Sequence, residues 1–254
     1  MSLDLRWVEA RLDTAFVGRR IVYRQSIPTT QDLARAEAEG GTPEGTAVLA
    51  EEQTVGRGRL GRSWVSPAGL NLYLTLVMRP PLERLRYLSM IAPLAAAQAA
   101  EEAAGVSPRL KWPNDVLVGG RKLAGVLIET ELSGSSVRYA LVGIGLNVNL
   151  EVERVPGIAD IATSLKREAG RPVSREEVLA ALLNRFEALY DEGGAVYAAW
   201  RSRLETLGRQ VRVTFGDQVE EGLAEDVDAE GSLVLRRADG SRVTIAAGDV
   251  TLRQ

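Results

Sequence analysis

The 254-residue chain contains neither cysteine nor histidine. Without cysteine there is no disulfide framework, no thiolate nucleophile and no cysteine-ligated zinc. Without histidine there is no Ser-His-Asp triad and no imidazole base, so any chemistry must rest on carboxylates, lysine, arginine and bound phosphates. Lysine is scarce as well: of 31 basic residues only Lys111, Lys122 and Lys166 are lysine. Chance scatter would explain three positions, but in so arginine-biased a chain lysine also marks places where a compact ammonium is wanted instead of a planar fork. Long apolar runs are missing. No stretch reaches membrane-spanning length and the opening MSLDLRWVEARLD has no signal-peptide centre, so the expectation is a cytoplasmic protein without a membrane partner. A net charge of −3 argues against bulk capture of nucleic acid. With 45% hydrophobic and 26% charged residues, the composition is that of an ordinary globular chain, long enough for one large domain or a large and a small one.

What is present stands out in the stretch TVGRGRLGRSW, residues 54–64. Gly56, Gly58 and Gly61 have the spacing of a dinucleotide-binding fingerprint, which requires a strand before the loop and a helix opening directly after it. The strand is there, in the apolar run 45–53. The helix is not: Pro67 and Gly69 break it, and residues 70–78 then alternate with the period of a strand. No Gly-Lys-Ser/Thr closes a P-loop either. A glycine loop carrying Arg57, Arg59 and Arg62 still suits anions, because glycine lets backbone N–H groups approach and arginine grips carboxylate or phosphate. A solvated basic turn is the plain alternative.

Along the rest of the chain, Thr29 and Asp32 resemble a capping box for a helix ended by Gly40-Gly41. An alanine-rich helix is expected over 84–104, kinked at Pro93 and stopped by Gly105. Strand-like pieces follow through 149, with a Gly119-Gly120 hairpin turn; Ser174 with Glu177 caps a helix over 175–191, and another lies around 194–206. From Gly208 onward five short β runs with tight turns and no helix predict a small barrel. The organisation expected is an α+β domain over 1–207 with a β module over 208–254.

Three further stretches carry polar groups. KWPNDV (111–116) sets Lys111, Asn114 and Asp115 around a proline turn, GRKLAG (120–125) holds Lys122 and Gly125, and GIGLNVN (143–149) carries Asn147 and Asn149. Each alone also fits a structural turn or strand end. Together they gather two of the three lysines and three of the five asparagines into residues 111–149, which favours a polar site.

In this order, GRGRLGRSWVSPAGLNLYLTLVMRP, KWPNDV, RKLAGVLIE and GIGLNVN, with TTQD at 29–32 and ATSL at 162–165, resemble the biotin–protein ligases (biotin–[acetyl-CoA-carboxylase] ligases) over nearly the whole chain. The resemblance implies a central mixed β-sheet flanked by helices, of the class II aminoacyl-tRNA synthetase kind, followed by a small SH3-like barrel. It implies that biotin and MgATP give biotinyl-5′-AMP and pyrophosphate, and that the acyl group passes to a lysine of a biotin carboxyl carrier domain. Too few residues precede Thr29 for the winged helix that some members carry, so the short type without DNA binding is expected; a homodimer is left open. By the match, Arg57 and Arg59 belong to a loop that folds over biotin and its adenylate. Lys122 meets the carboxylate and phosphate region, Lys111 the triphosphate, and Thr29, Thr30 and Gln53 the ureido ring. Gly56 and Gly125 fall in the biotin site, while Arg62, Trp64, Asn114 and Asn147 fall on the nucleotide, Trp64 packing against apolar parts of the ligand. Asp115 serves Mg2+ or orients the incoming ammonium. The family's usual Ser-Thr-Asn is Thr29-Thr30-Gln31 here, which leaves the role of Gln31 open. Lipoate–protein ligases and octanoyltransferases of related fold are the alternative, with a different cationic loop expected; an RNA- or phosphopeptide-binding module is the non-catalytic one.

Overall fold

Seven apolar runs pair into one mixed sheet in the computed structural model, which describes residues 2–252. They are β1 Ile21–Ile27, β2 Thr46–Gln53, β3 Leu72–Met78, β4 Arg109–Lys111, β5 Asp115–Val118, β6 Arg121–Ser133 and β7 Ser136–Leu146, in the spatial order β1-β2-β3-β7-β6-β5-β4. Only β1 and β2 run parallel; every other neighbour is antiparallel. The helices are α1 Leu5–Glu9, α2 Thr30–Glu39, α3 Leu88–Ala104, α4 Leu165–Ala169, α5 Arg175–Glu192 and α6 Val196–Arg203. Ala34 and Ala38 of α2 pack on Val22, Val48 and Val77 from one face, while α3 and α5 join Leu72, Leu74 and Leu76 on the other. Both faces of the sheet are therefore covered, and all seven residues of β3 are buried. The alternation that identifies β3 as a strand does not reflect a wet face.

The long helix departs from expectation at its start. Residues 82–87 form a 3-10 segment and the α-helix begins at Leu88; it runs on through the buried Pro93, held between the sheet and α5, and ends at Gly105 in the left-handed conformation (φ 68°). Ser174 caps α5 by accepting the Glu177 N–H (3.2 Å).

Five strands make the C-terminal sheet: β8 Gln210–Phe215, β9 Gln218–Val227, β10 Leu233–Arg236, β11 Arg242–Ile245 and β12 Asp249–Leu252, antiparallel in the order β11-β10-β9-β8-β12. Its apolar side, including Val213, Leu233 and Leu235, is continuous with the core that holds α3, α5 and β6. Polar bonds tie the two parts together: the Trp112 indole N–H donates to Gly231 O (2.9 Å) and Tyr197 Oη to Val227 O (2.6 Å), while the Trp112 amide is held within the first part by Thr206 Oγ1 (2.9 Å). Among the described residues no helix is long and apolar enough to cross a membrane.

Candidate active site

A cavity of about 730 Å³ lies over the middle of the large sheet, and its floor exists because side chains are missing there. Gly125 on β6 pairs with Gly145 on β7, and Gly143 pairs with Leu127. A Cβ on Gly145 would stand 2.5 Å from Cε2 of Trp64, and one on Gly143 2.6 Å from Nε2 of Gln31. Gly125 leaves the space that Lys122 uses, its Cβ position lying 3.0 Å from Lys122 Cε and 3.1 Å from Nζ. These glycines are required by close approach of neighbouring side chains.

One end of the cavity is neutral. Gln53 Oε1 accepts from the Thr30 amide (2.8 Å) and hydroxyl (3.0 Å), and its Nε2 donates to Ser66 Oγ (3.0 Å). Thr75 Oγ1 is paired with Thr30 Oγ1 at 2.9 Å. Thr29 Oγ1 caps α2 by accepting from the Gln31 amide (3.3 Å), so the expected capping box is only half made: Asp32 instead pairs with Arg57 (2.5 Å). Gln31 is 3% exposed; its Nε2 donates to Leu127 O (2.9 Å), and its Oε1 lies buried with no partner among the described residues. Gln31 lines the cavity although this oxygen is itself closed to solvent; leaving it unpaired costs on the order of 1–3 kcal/mol, which a ligand N–H that gains access to it would recover.

The other end is cationic. Lys122 Nζ sits 2.6 Å from Asp115 Oδ1 and 5.3 Å from the centroid of the Trp64 ring. The main chain of Lys122 is strapped on both sides, its N–H to Ile161 O (2.8 Å) and its carbonyl from the Thr163 N–H (2.9 Å). The cis peptide Trp112–Pro113 shapes the turn that presents Lys111, Asn114 and Asp115 to this end. Burial pushes the Lys111 ammonium below the usual lysine range; Asp115 opposes that shift, and Lys122 and Arg62 add to it. Arg59 is likewise pushed down by burial, against the pull of Asp115, and its Nη1 donates to Asn114 Oδ1 (3.0 Å). Asn114 in turn donates to Val126 O (2.6 Å). Arg62 forms an ion pair with Asp249. The cavity is lined by three arginines and two lysines against three carboxylates, Asp115 paired with Lys122, Asp249 paired with Arg62, and Asp160, an excess of positive charge suited to a polyanion.

Of the residues that the family resemblance places in the site, all but Gly56 line this cavity: Thr29, Thr30, Gln53, Arg57, Arg59, Arg62, Trp64, Lys111, Asn114, Asp115, Lys122, Gly125 and Asn147. Gly56 lies beneath the loop, where a Cβ would be 2.3 Å from the Trp64 carbonyl oxygen. Asn147 also has structural work, donating to Thr163 O (3.0 Å) and accepting from Asn71 (3.4 Å), whereas Asn149 is spent on Val173. Sequence reading missed Asp160–Ala162 and Asp249–Thr251, which complete the walls. ATSL at 162–165 pointed near the first group; nothing local marks the second.

The profile of the biotin/lipoate A/B protein ligase family matches residues 22–147, and that of the biotin protein ligase C-terminal domain matches 206–253. The chain is 35% identical over 249 residues to the bifunctional ligase/repressor BirA of Bacillus subtilis, covering 95% of this chain and 76% of that one. It is 40% identical over 211 residues to the biotin–[acetyl-CoA-carboxylase] ligase of Paracoccus denitrificans, covering 79% and 88%. Among solved structures, the biotin protein ligase of Aquifex aeolicus in complex with biotin and ATP superimposes with a TM-score of 0.79 at 31% identity, covering 93% of this chain and 99% of the other.

Proposed function

The chain belongs to the biotin protein ligases, and from that premise we propose that it activates biotin with ATP and passes the acyl group to a lysine of a biotin carboxyl carrier domain. The observation that carries this reading is a single cavity with a neutral hydrogen-bonding end and a cationic end. A ureido ring offers both N–H donors and a carbonyl acceptor, so it can satisfy the buried Gln31 Oε1 while using the hydroxyls of Thr29 and Thr30. The dithiolane of lipoate or the methyl end of octanoate would leave that oxygen unpaired.

In the first step a carboxylate oxygen of biotin attacks the α-phosphorus, and the bond to the departing pyrophosphate breaks. Negative charge from two partners then shares one space, and Lys122, Arg59 and Lys111 neutralise it without any group having to move a proton. Arg57 exchanges Asp32 for the ligand as the loop closes. In the second step the carrier lysine arrives as an ammonium oriented by Asp115, next to Lys122, and gives a proton to solvent; the neutral amine then attacks the acyl carbon, AMP leaves, and the nitrogen loses its second proton to solvent. Asp115 would hold Mg2+, which would supply charge neutralisation on the phosphates. Asn114 and Asn147 meet the nucleotide and Trp64 covers the apolar part of the ligand.

Exchange of labelled pyrophosphate into ATP, run with biotin, lipoate and octanoate side by side, tests the proposal. Exchange with biotin alone is expected. Exchange driven by lipoate or octanoate, or none with any acid, would overturn it.

A further inference from the structure

The three arginines of the loop have three different partners. Arg57 pairs with Asp32 and Arg59 with Asn114, both beside the cavity, but Arg62 reaches across to Asp249 at the head of β12. Asp249–Thr251 share the cavity wall with Arg62 and Lys111, so the C-terminal sheet encloses the site and grips its loop at the same place.

The two sides of that grip are held with unequal firmness. Asp249 stands on a strand paired with β8, next to the buried Val250, and the sheet behind it is fixed through Trp112–Gly231 and Tyr197–Val227. The loop is anchored at its base by Thr54 N–H to Ile27 O (2.9 Å) and Val55 N–H to Pro28 O (2.8 Å); from Gly56 onward its backbone bonds are to itself, Gly58 N–H to Arg62 O (2.7 Å), Arg62 N–H to Arg59 O (3.2 Å) and Trp64 N–H to Gly56 O (2.9 Å). At its tip Leu60 is in the left-handed region (φ 55°) and 70% exposed, a conformation that costs a non-glycine residue. Beyond the loop, Arg57 faces Asp32 of α2 and Arg59 faces Asn114, both within the large sheet's own part; among the three arginines Arg62 is the one tied to the C-terminal sheet.

We propose that Asp249 is a positioning residue: through Arg62 it latches the arginine loop closed over the activated intermediate, making the C-terminal sheet the fixed post of the lid. The proposal rests on the ligase reading for its effect on the intermediate, and on geometry alone for its effect on the loop. The Arg62 side chain is 63% exposed and that of Asp249 25%, so the pair is of the weak, screened kind, and its removal should be felt as about a two- to fivefold change, not an abolition.

Two readouts on the full chain test it. In the ligand-free protein, Asp249→Asn should speed trypsin cutting after Arg57 and Arg59 by about two- to fivefold with an unchanged melting temperature. With biotin and MgATP but no carrier, Asp249→Asn should raise steady-state pyrophosphate release and biotin attached to bystander lysines by a similar factor. Arg62→Gln should show the leak too, the double variant should leak no more than the Arg62→Gln single, and the swapped pair Arg62→Asp with Asp249→Arg should recover part of the closure. Wild type in about 0.5 M NaCl should resemble Asp249→Asn. Undiminished effect of Asp249→Asn in the Arg62→Gln background, or an unchanged loop in the digestion, would overturn the latch. If no acid supports adenylation at all, the ligase reading falls and the digestion still judges the latch.

Discussion

Lys122→Ala should reduce biotin-dependent pyrophosphate exchange by about 10²–10³, equivalent to ~3–4 kcal/mol, by analogy with removal of one preorganised donor from a site of developing charge. The geometry yields the same size by another route. Lys122 Nζ lies 2.6 Å from Asp115 and its side chain is two-thirds buried, so it works in a medium well below the polarity of water. Two unit charges about 4 Å apart at an effective dielectric of about 20 interact by roughly 4 kcal/mol. Deleting the ammonium also leaves the Asp115 carboxylate unpaired beside the phosphates, which pushes in the same direction. Lys122→Arg should recover only part of the rate. The ammonium occupies a slot between Gly125 and the Trp64 ring so close that a Cβ on the glycine would stand 3.0–3.1 Å from Lys122 Cε and Nζ, and a planar guanidinium is wider than that slot. The assay is pyrophosphate exchange at saturating biotin, with the melting temperature of each variant recorded so that loss of fold is not mistaken for loss of charge. Exchange in Lys122→Ala within a few-fold of wild type would refute the role given to this lysine.

Gly145→Ala puts a methyl 2.5 Å from the Trp64 ring, so the indole must shift; with overpacking worth about 1–3 kcal/mol, the KM for biotin and ATP should rise roughly ten- to hundredfold, and unchanged constants would show the floor to be slack. Arg59→Gly leaves Lys122 in place but removes the bond to Asn114, so adenylate should still form and escape faster, seen as biotin on the lysines of an added unrelated protein. Loss of adenylation without leakage would instead put Arg59 in the first step. Because burial lowers the affinity of Lys111 for its proton, the charge it offers the triphosphate is lost, as pH rises, at a value below the usual lysine range. The KM for ATP should therefore climb on the alkaline side in wild type and stay level over the same range in Lys111→Arg; identical profiles would remove Lys111 from the phosphate site.

Much of this site was legible because its parts are punctuated. Pro67 and Gly69 ruled out a helix after the arginine loop, whereas the stretch 143–149 was singled out for its asparagines, and only the fold shows that its glycines make room for Trp64 and Gln31. The three arginines were alike in sequence, and only the fold separates a partner in α2, one in the Lys-Trp-Pro-Asn-Asp turn and one in β12. Asp249–Thr251 were beyond sequence reasoning: they become a cavity wall only because Gly231 docks on Trp112, a contact with no local pattern behind it. The start of α3 was misplaced because the charged residues before Leu88 are good helix formers, while the chain there takes a tighter 3-10 turn.

The change of texture at Gly208 marks where helices stop, but the apolar interior passes through it without a seam, from Leu94 and Trp112 to Leu233 and Val250. A chain built so cannot shed its last segment as a passenger. Cutting at that point would open the flank of Trp112 and Trp200 to water and unsettle the turn that carries Lys111 and Asn114, so heat or denaturant meets one cooperative body in place of two independent ones. The same continuity constrains inheritance: the β segment can vary on its wet side, yet it cannot be exchanged for another small barrel without a matching surface beneath it.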